Sequence, residues 1–255
     1  MNDPFSVHGI DHLSPSQINT FIQDPCKWIL RISGYKGMGG AGAWRGSATD
    51  QAITTALKED LSADKAVEIG KLYMLDQLKS FPTVDSKKFD DEQAKLADFI
   101  KEGLFFYRRL PKPTEYQKEI TLQLDHLPVP ITGYADFVYP DKVRDLKTVA
   151  QKPGKVKDVH SRQVAIYAKA LGLSEGHVDY VHVTKTQKLV HHFTLKQDDL
   201  DAAMRVVDIA TRSMTRLLSV SADIEEIAGL LTPDLDDWMW DSAEKEAARN
   251  LWRIK

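Results

Sequence analysis

Cysteine is nearly absent from this chain. Its 255 residues hold one, Cys26, which excludes an internal disulfide and any zinc or iron–sulfur site built wholly from cysteines of one chain. Long apolar runs are missing too. Mean hydropathy is -0.35, and no stretch approaches the roughly 20 apolar residues a membrane-spanning helix needs. The opening Met1-Asn-Asp-Pro-Phe-Ser6 has no basic segment leading into an apolar one, so no secretory signal is expected, and a reducing cytoplasm is the expected compartment. Excess charge is also lacking: 34 Lys and Arg face 37 Asp and Glu, for a net charge of -3. That excludes a protein that coats nucleic acid through bulk charge, but not a locally basic groove. The glycine-rich stretch Gly34–Ala43 lacks a closing Gly-Lys-Ser/Thr and a leading strand, so it is not read as a phosphate loop.

What is present suffices for one large domain or two small ones. Ser14, Pro15 and Gln17 have the spacing of a capping box with proline in the first turn, so a helix is expected there, interrupted at Pro25. From Arg45 to about Phe106 the pattern is helical, with breaks around Ser80-Phe-Pro82 and Ser86-Lys-Lys88. Strand-like runs follow at Gln117–Leu124, Val129–Gly133, Tyr134–Tyr139 and Val143–Val149, the middle two readable as one strand. A helix is expected around Ser161–Leu171, a strand pair at Val178–Thr184 and Leu189–Thr194, then helices at Gln197–Val220 and Asp223–Leu231. A tail with Trp238, Trp240 and Trp252 ends the chain. The expected fold class is α/β: a central mixed sheet flanked by helices. A single domain over 1–255 is expected, with a helical part at about 13–110, a sheet core at about 115–195 and C-terminal helices at about 197–255.

Chemistry concentrates in the sheet core. Asp145 and Lys147 are two apart on one strand and so share a face. Asp136 lies on the preceding run, and Pro140-Asp-Lys142 reads as a tight turn, making a hairpin that brings two carboxylates and one ammonium together. Two carboxylates can hold a hard divalent cation, and a lysine beside it can steady a developing anion. Gln163 and Tyr167, one helical turn apart, share a face that follows shortly after. Taken alone, Asp-x-Lys is a common pattern of solvated strand charge. His191 and His192 are adjacent on a strand, so they point to opposite faces and are not read as a joint metal site.

In chain order, these pieces resemble the PD-(D/E)xK nuclease superfamily, specifically its RecB-like exonuclease branch. Leu13-Ser-Pro-Ser-Gln-Ile-Asn-Thr-Phe21 looks like the N-terminal helix motif and Asp24-Pro-Cys-Lys-Trp28 like the segment after it. Arg45-Gly-Ser-Ala-Thr-Asp50 looks like the family's Gly-x-x-x-His helix start, with Asp50 where the family has a metal-binding histidine. Glu119 matches an acidic position on the first strand. Gly133-x-x-Asp136, Asp145-Leu-Lys147 and Gln163-x-x-x-Tyr167 match the remaining motifs.

The resemblance implies a restriction-endonuclease-like core and a metal-dependent DNA exonuclease. Asp136, Asp145 and the backbone carbonyl of Leu146 would bind magnesium or manganese, with Asp50 as a further ligand. Lys147 would orient water or stabilise charge, while Gln163 and Tyr167 would position the phosphate. Arg45, Lys152, Lys155 and Lys157 are candidate DNA contacts. Iron–sulfur relatives carry four cysteines, so no cluster is expected here, and tryptophan packing is expected in the tail instead. DNA is the implied partner, with a helicase or single-strand annealing protein as candidate companions. The implied compartment is the cytoplasm, the host's if the protein is phage-encoded. The alternatives are a structure-specific endonuclease, a non-catalytic DNA-binding relative, and a hydrolase acting on RNA or nucleotides. No aromatic RNA-binding strand motif supports the last.

Overall fold

The computed structural model describes residues 3–37, 39–81, 84–237 and 239–254. Helices α1 (Pro4–Val7), α2 (Pro15–Gln23) and α3 (Pro25–Ile32) open the chain, followed by α4 (Ala41–Glu59), α5 (Ala63–Ser80) and α6 (Ser86–Tyr107). Then come β1 (Glu115–Leu122), β2 (Ile131–Val138), β3 (Val143–Val149), α7 (Asp158–Leu171), β4 (Gly176–Val183) and β5 (Lys188–Leu195). Helices α8 (Gln197–Leu218), α9 (Ile224–Ala228) and α10 (Ser242–Trp252) complete it. The strands form one sheet in the order β1-β2-β3-β4-β5. β2 and β3 are antiparallel, β3 and β4 parallel, β4 and β5 antiparallel. The sheet is therefore mixed and flanked by helices, as the sequence pattern led one to expect. The two apolar runs before Tyr139 are one continuous strand, β2.

The chain divides into two compact units, each discontinuous in sequence. One comprises residues 1–37, 120–133 and 201–255; the other 38–119 and 134–200. Periodicity marks which face of a helix is buried but not which partner buries it. The grouping of α1–α3 with the C-terminal helices was therefore not readable.

In the first unit, the capping box forms as the sequence implied. The Gln17 N–H donates to Ser14 Oγ at 3.2 Å, and the Ser14 N–H donates to Gln17 Oε1 at 2.8 Å. Asp24 ends α2 and caps α3, accepting the N–H groups of Cys26 and Lys27 at 2.9 and 3.2 Å, which frees Pro25 to serve as the first helical residue. Cys26 packs with Leu30, Trp240 and Ala248; burial, and then Asp24 nearby, push its thiol up to about 11. Lys27 pairs with Glu244 at 2.7 Å and stands 5.1 Å over the Trp240 ring. The Trp252 indole donates to the carbonyls of Ala228 and Leu231 at 2.9 and 3.0 Å. Trp238, Pro82 and Met38 lie outside the described residues.

In the second unit, α6 buries Phe89, Leu96, Phe99, Ile100, Leu104 and Tyr107, a stripe at three- and four-residue spacing. Each of its larger apolar side chains contributes roughly 1.5–3 kcal/mol on burial. Close approach to this helix depends on Gly103, where an added Cβ would lie 2.5 Å from Ile53 Cδ1 and 3.3 Å from Val181 Cγ2. Tyr107 ends the stripe by donating its hydroxyl to Asp179 at 2.9 Å. Asp179 also takes Arg144 through Nε and Nη2, both at 2.9 Å, and lies 2.9 Å from His192. Burial alone would raise Asp179, but His192, Arg144 and Tyr107 outweigh it and hold the carboxyl below its usual range. Asp179 is paired with Leu146, so this network lies on the sheet face opposite Asp145 and Lys147. α7 packs on β3 and β4. The two histidines of β5 diverge as strand alternation requires: His191 meets His182 at 3.3 Å, while His192 joins Asp179.

Candidate active site

The ladder between β2 and β3 pairs Phe137 with Arg144 and Val138 with Val143. At the next position the carboxylate of Asp136 intervenes, and its Oδ2 accepts the Leu146 N–H at 2.8 Å. Asp136 is thereby fixed against the β3 backbone, one residue from Asp145. Asp145 is fully buried. Neither of its oxygens makes a hydrogen bond of good geometry among the described residues, although the Lys147 ammonium lies 2.7 Å from Oδ2 as an ion pair. Lys147 keeps 23% of its side chain exposed.

Asp50 reaches the same place from α4. It accepts the Gln117 side-chain amide at 2.9 Å, and the same Nε2 donates to Asp136 Oδ1 at 3.2 Å. One amide thus links two carboxylates. Gln117 does this from a left-handed backbone, with φ of 47° inside β1, a conformation that costs a non-glycine residue roughly 1 kcal/mol or more. The kink interrupts the alternation that would have given Gln117 and Glu119 a common face. Glu119 is exposed, and Gln117 supplies the first strand's contact with the carboxylates.

Electrostatics follow from this crowding. Burial, and then Asp136, push Asp50 well above the usual carboxylate range. Burial also raises Asp136, against the pull of Lys147, the Leu146 N–H and Gln117. Asp145 is pushed up to about 7 by burial, which outweighs Lys147, with Asp136 adding repulsion. Burial would lower Lys147, but Asp145 and Asp136 overcome it and hold the ammonium charged. Tyr167 is raised by burial and then by Asp145, which brings α7 into the same electrostatic environment. Gln163 donates to the Tyr167 hydroxyl at 2.8 Å.

An open cleft of about 510 Å³ lies over these groups, lined by Asp50, Asp136, Leu146, Lys147, Thr148, Lys157 and His160, with Gly42, Ala43 and Gly46 of α4 among its remaining walls. The small residues let α4 approach β3: a Cβ on Gly46 would lie 3.4 Å from Thr148 Oγ1. Lys157 reaches the cleft from the start of α7, whereas Lys152 and Lys155 are exposed in the preceding loop and do not line it. Arg45 is not at the surface. It is buried, ion-paired to Glu92 at 2.5 Å and stacked 4.0 Å over Phe99, because its position on α4 turns it into the core. Gln117 and His160 carried no motif. The left-handed kink that aims Gln117 has no sequence signature in a non-glycine residue.

A family model for the PD-(D/E)XK nuclease superfamily matches residues 12–226. The chain belongs to the PD-(D/E)XK nuclease superfamily. Its mixed sheet with flanking helices is accordingly a restriction-endonuclease-like fold with helical extensions. Among curated proteins nothing matches the chain. Solved chains do match, 18 of them. One, titled "Crystal structure of SSO0001", is 15% identical over 63% of this chain and 85% of that one, with a TM-score of 0.32, too low to carry an argument.

Nucleases of this superfamily generally use divalent metals such as magnesium or manganese. The donor set fits one. Asp145 has a buried oxygen without a hydrogen bond, and Asp50 and Asp136 share a neutral amide where a cation would relieve their repulsion. Among the described residues, no three His, Cys, Asp or Glu side chains converge closely enough to hold a metal as they stand. Gln117 and Lys147 hold the carboxylates instead. Among the described residues no helix is long and apolar enough to cross a membrane.

Proposed function

We propose that this nuclease is a divalent-metal-dependent DNA exonuclease acting in recombination, repair or phage DNA processing. The observation that carries the reading is the meeting of Asp50, Asp136 and Lys147 at the wall of one cleft, with Asp145 buried behind them and ion-paired to Lys147. Asp136, Asp145 and Asp50 would hold magnesium or manganese, with the Leu146 carbonyl as a further donor. The metal, when bound, supplies charge neutralisation at the scissile phosphate and an acidified water.

The chain's own residues do the rest. Lys147 keeps its proton and presents a fixed positive charge toward the phosphate, stabilising the charge that develops there. Burial of Asp145 and Asp136 keeps them from being solvated, so they are poised to give their oxygens to a cation rather than to water. Gln163, hydrogen-bonded to the Tyr167 hydroxyl, and Tyr167 itself would position the phosphate or a metal-bound water from α7. The exonuclease branch is supported by the ordered motifs, including Gln163-x-x-x-Tyr167 turned toward Asp145.

End-labelled linear DNA and closed circular DNA, each incubated with magnesium, manganese or EDTA, test this. Metal-dependent loss of the linear form alone is the expected result. Cutting of the circle would move the assignment to an endonuclease. Binding without cleavage would move it to a DNA-binding relative.

A further inference from the structure

His160 belongs to no motif, yet it lines the cleft beside Lys147 and Lys157. It sits in the first turn of α7, with Gln163 and Tyr167 at three and seven residues on, and so on the same face. Its Nδ1 is 2.7 Å from the Tyr180 hydroxyl. Tyr180 is paired with Lys147 across β3 and β4 and is fully buried. The same hydroxyl accepts the backbone N–H of Lys157 at 3.0 Å.

These contacts decide the tautomer. A buried hydroxyl that accepted from both Lys157 and His160 would leave its own proton without an acceptor and out of reach of water, which is strongly disfavoured. Tyr180 therefore donates to Nδ1, and the ring's proton sits on Nε2, on the side away from Tyr180. A neutral imidazole so held is a hydrogen-bond donor of fixed direction in a cleft already bordered by two lysines.

We propose that His160 contacts the bound DNA directly, its Nε2–H donating to a non-bridging phosphate oxygen, with Tyr180 as the positioning residue that locks this tautomer. The inference rests on the nuclease reading of the cleft. Burial, and then Lys147 and Lys157, bring His160 down to about 3, so it stays neutral across the working range. It is a donor there, not a proton shuttle.

The test compares His160→Leu, His160→Gln and Tyr180→Phe with wild type in single-turnover cleavage of end-labelled linear duplex. Ring-nitrogen NMR of His160 in the metal-free protein accompanies it. His160→Leu should slow cleavage by about ten- to hundredfold, the range of one hydrogen bond to a charged group, at a temperature where circular dichroism shows the variant folded; its melting temperature should fall, because the Tyr180 hydroxyl loses its acceptor. His160→Gln, which restores an amide donor, should recover to within a few-fold, and Tyr180→Phe should fall between. The pH–rate profile of wild type should show no limb that His160→Gln removes. NMR should place the proton on Nε2. Wild-type rates in His160→Leu, a failure of Gln to rescue, a limb lost in His160→Gln, or a proton on Nδ1 would each overturn the proposal. Should wild type cleave nothing with any metal, the nuclease reading fails by itself. The NMR spectrum, and its response to a short single-stranded oligonucleotide with calcium, would then judge the contact: a shift at Nε2 supports it, and none overturns it.

Discussion

Replacing Asp145 with asparagine should stabilise the metal-free protein at alkaline pH while abolishing its activity. Asp145 is fully buried, its oxygens lack hydrogen bonds of good geometry, and the Lys147 ion pair is its compensating contact. Its carboxyl is pushed from 3.8 up to about 7 by burial, against the pull of Lys147 and with Asp136 adding to the rise. Because the folded-state value lies above the unfolded one, the protonated form's stability is fully present below the unfolded value. It is lost as pH rises through the folded one. At about 1.4 kcal/mol per pH unit, the penalty above pH 7 is about 4 kcal/mol. Asparagine removes it but leaves Lys147 with Asp136 as its remaining near carboxylate, which returns part of the gain. A net rise of about 1–2 kcal/mol corresponds to several degrees in melting temperature for a chain of this length. Thermal denaturation followed by circular dichroism in EDTA, at about pH 5 and pH 8, reads it. The variant's advantage should appear at pH 8 and shrink at pH 5. Manganese should stabilise wild type far more than the variant. A variant less stable than wild type by the same amount at both pH values would refute the reasoning.

The remaining predictions concern residues that the structure places differently from the sequence reading, and one packing contact. Gln117→Gly should be more stable than Gln117→Ala by about 1 kcal/mol in urea denaturation, because only glycine adopts a left-handed φ freely; equal stability would contradict the kink. Arg45→Ala should cost about 1–3 kcal/mol, through the lost Glu92 pair and the packing on Phe99. It should leave the salt dependence of DNA binding unchanged, since a phosphate contact would lower that slope. Gly103→Val should destabilise by about 1–3 kcal/mol, as its side chain meets Ile53 and Val181; calorimetry reads it.

The sheet and its helices were legible because period-two and period-3.6 patterns are direct consequences of backbone geometry. Asp136, Asp145 and Lys147 were brought together as the hairpin reading required, while Gln163 and Tyr167 bond to each other on α7 and do not line the cleft. What was hidden depends on tertiary choice. Arg45 was a candidate DNA contact, but its buried position on α4 pairs it with Glu92, 47 residues on. Glu119 was singled out by its match to an acidic position of the family, whereas its alternation with Ile120 and Leu122 already allowed the solvent-facing place it takes. His160 gains its meaning from a tyrosine on another strand, a pairing no local pattern encodes. The division into two discontinuous units likewise reflects which faces met, not where the faces lay.

The most direct test of the central claim is the rate of nucleotide release from end-labelled linear DNA by wild type and Lys147→Ala, matched for folding by circular dichroism and assayed in manganese. Loss of at least about a hundredfold in the variant, with the wild-type rate abolished by EDTA, is the result predicted for a charge that acts on the transition state. Equal rates in the two proteins would contradict the assignment of this cleft as the place where the phosphodiester bond is broken.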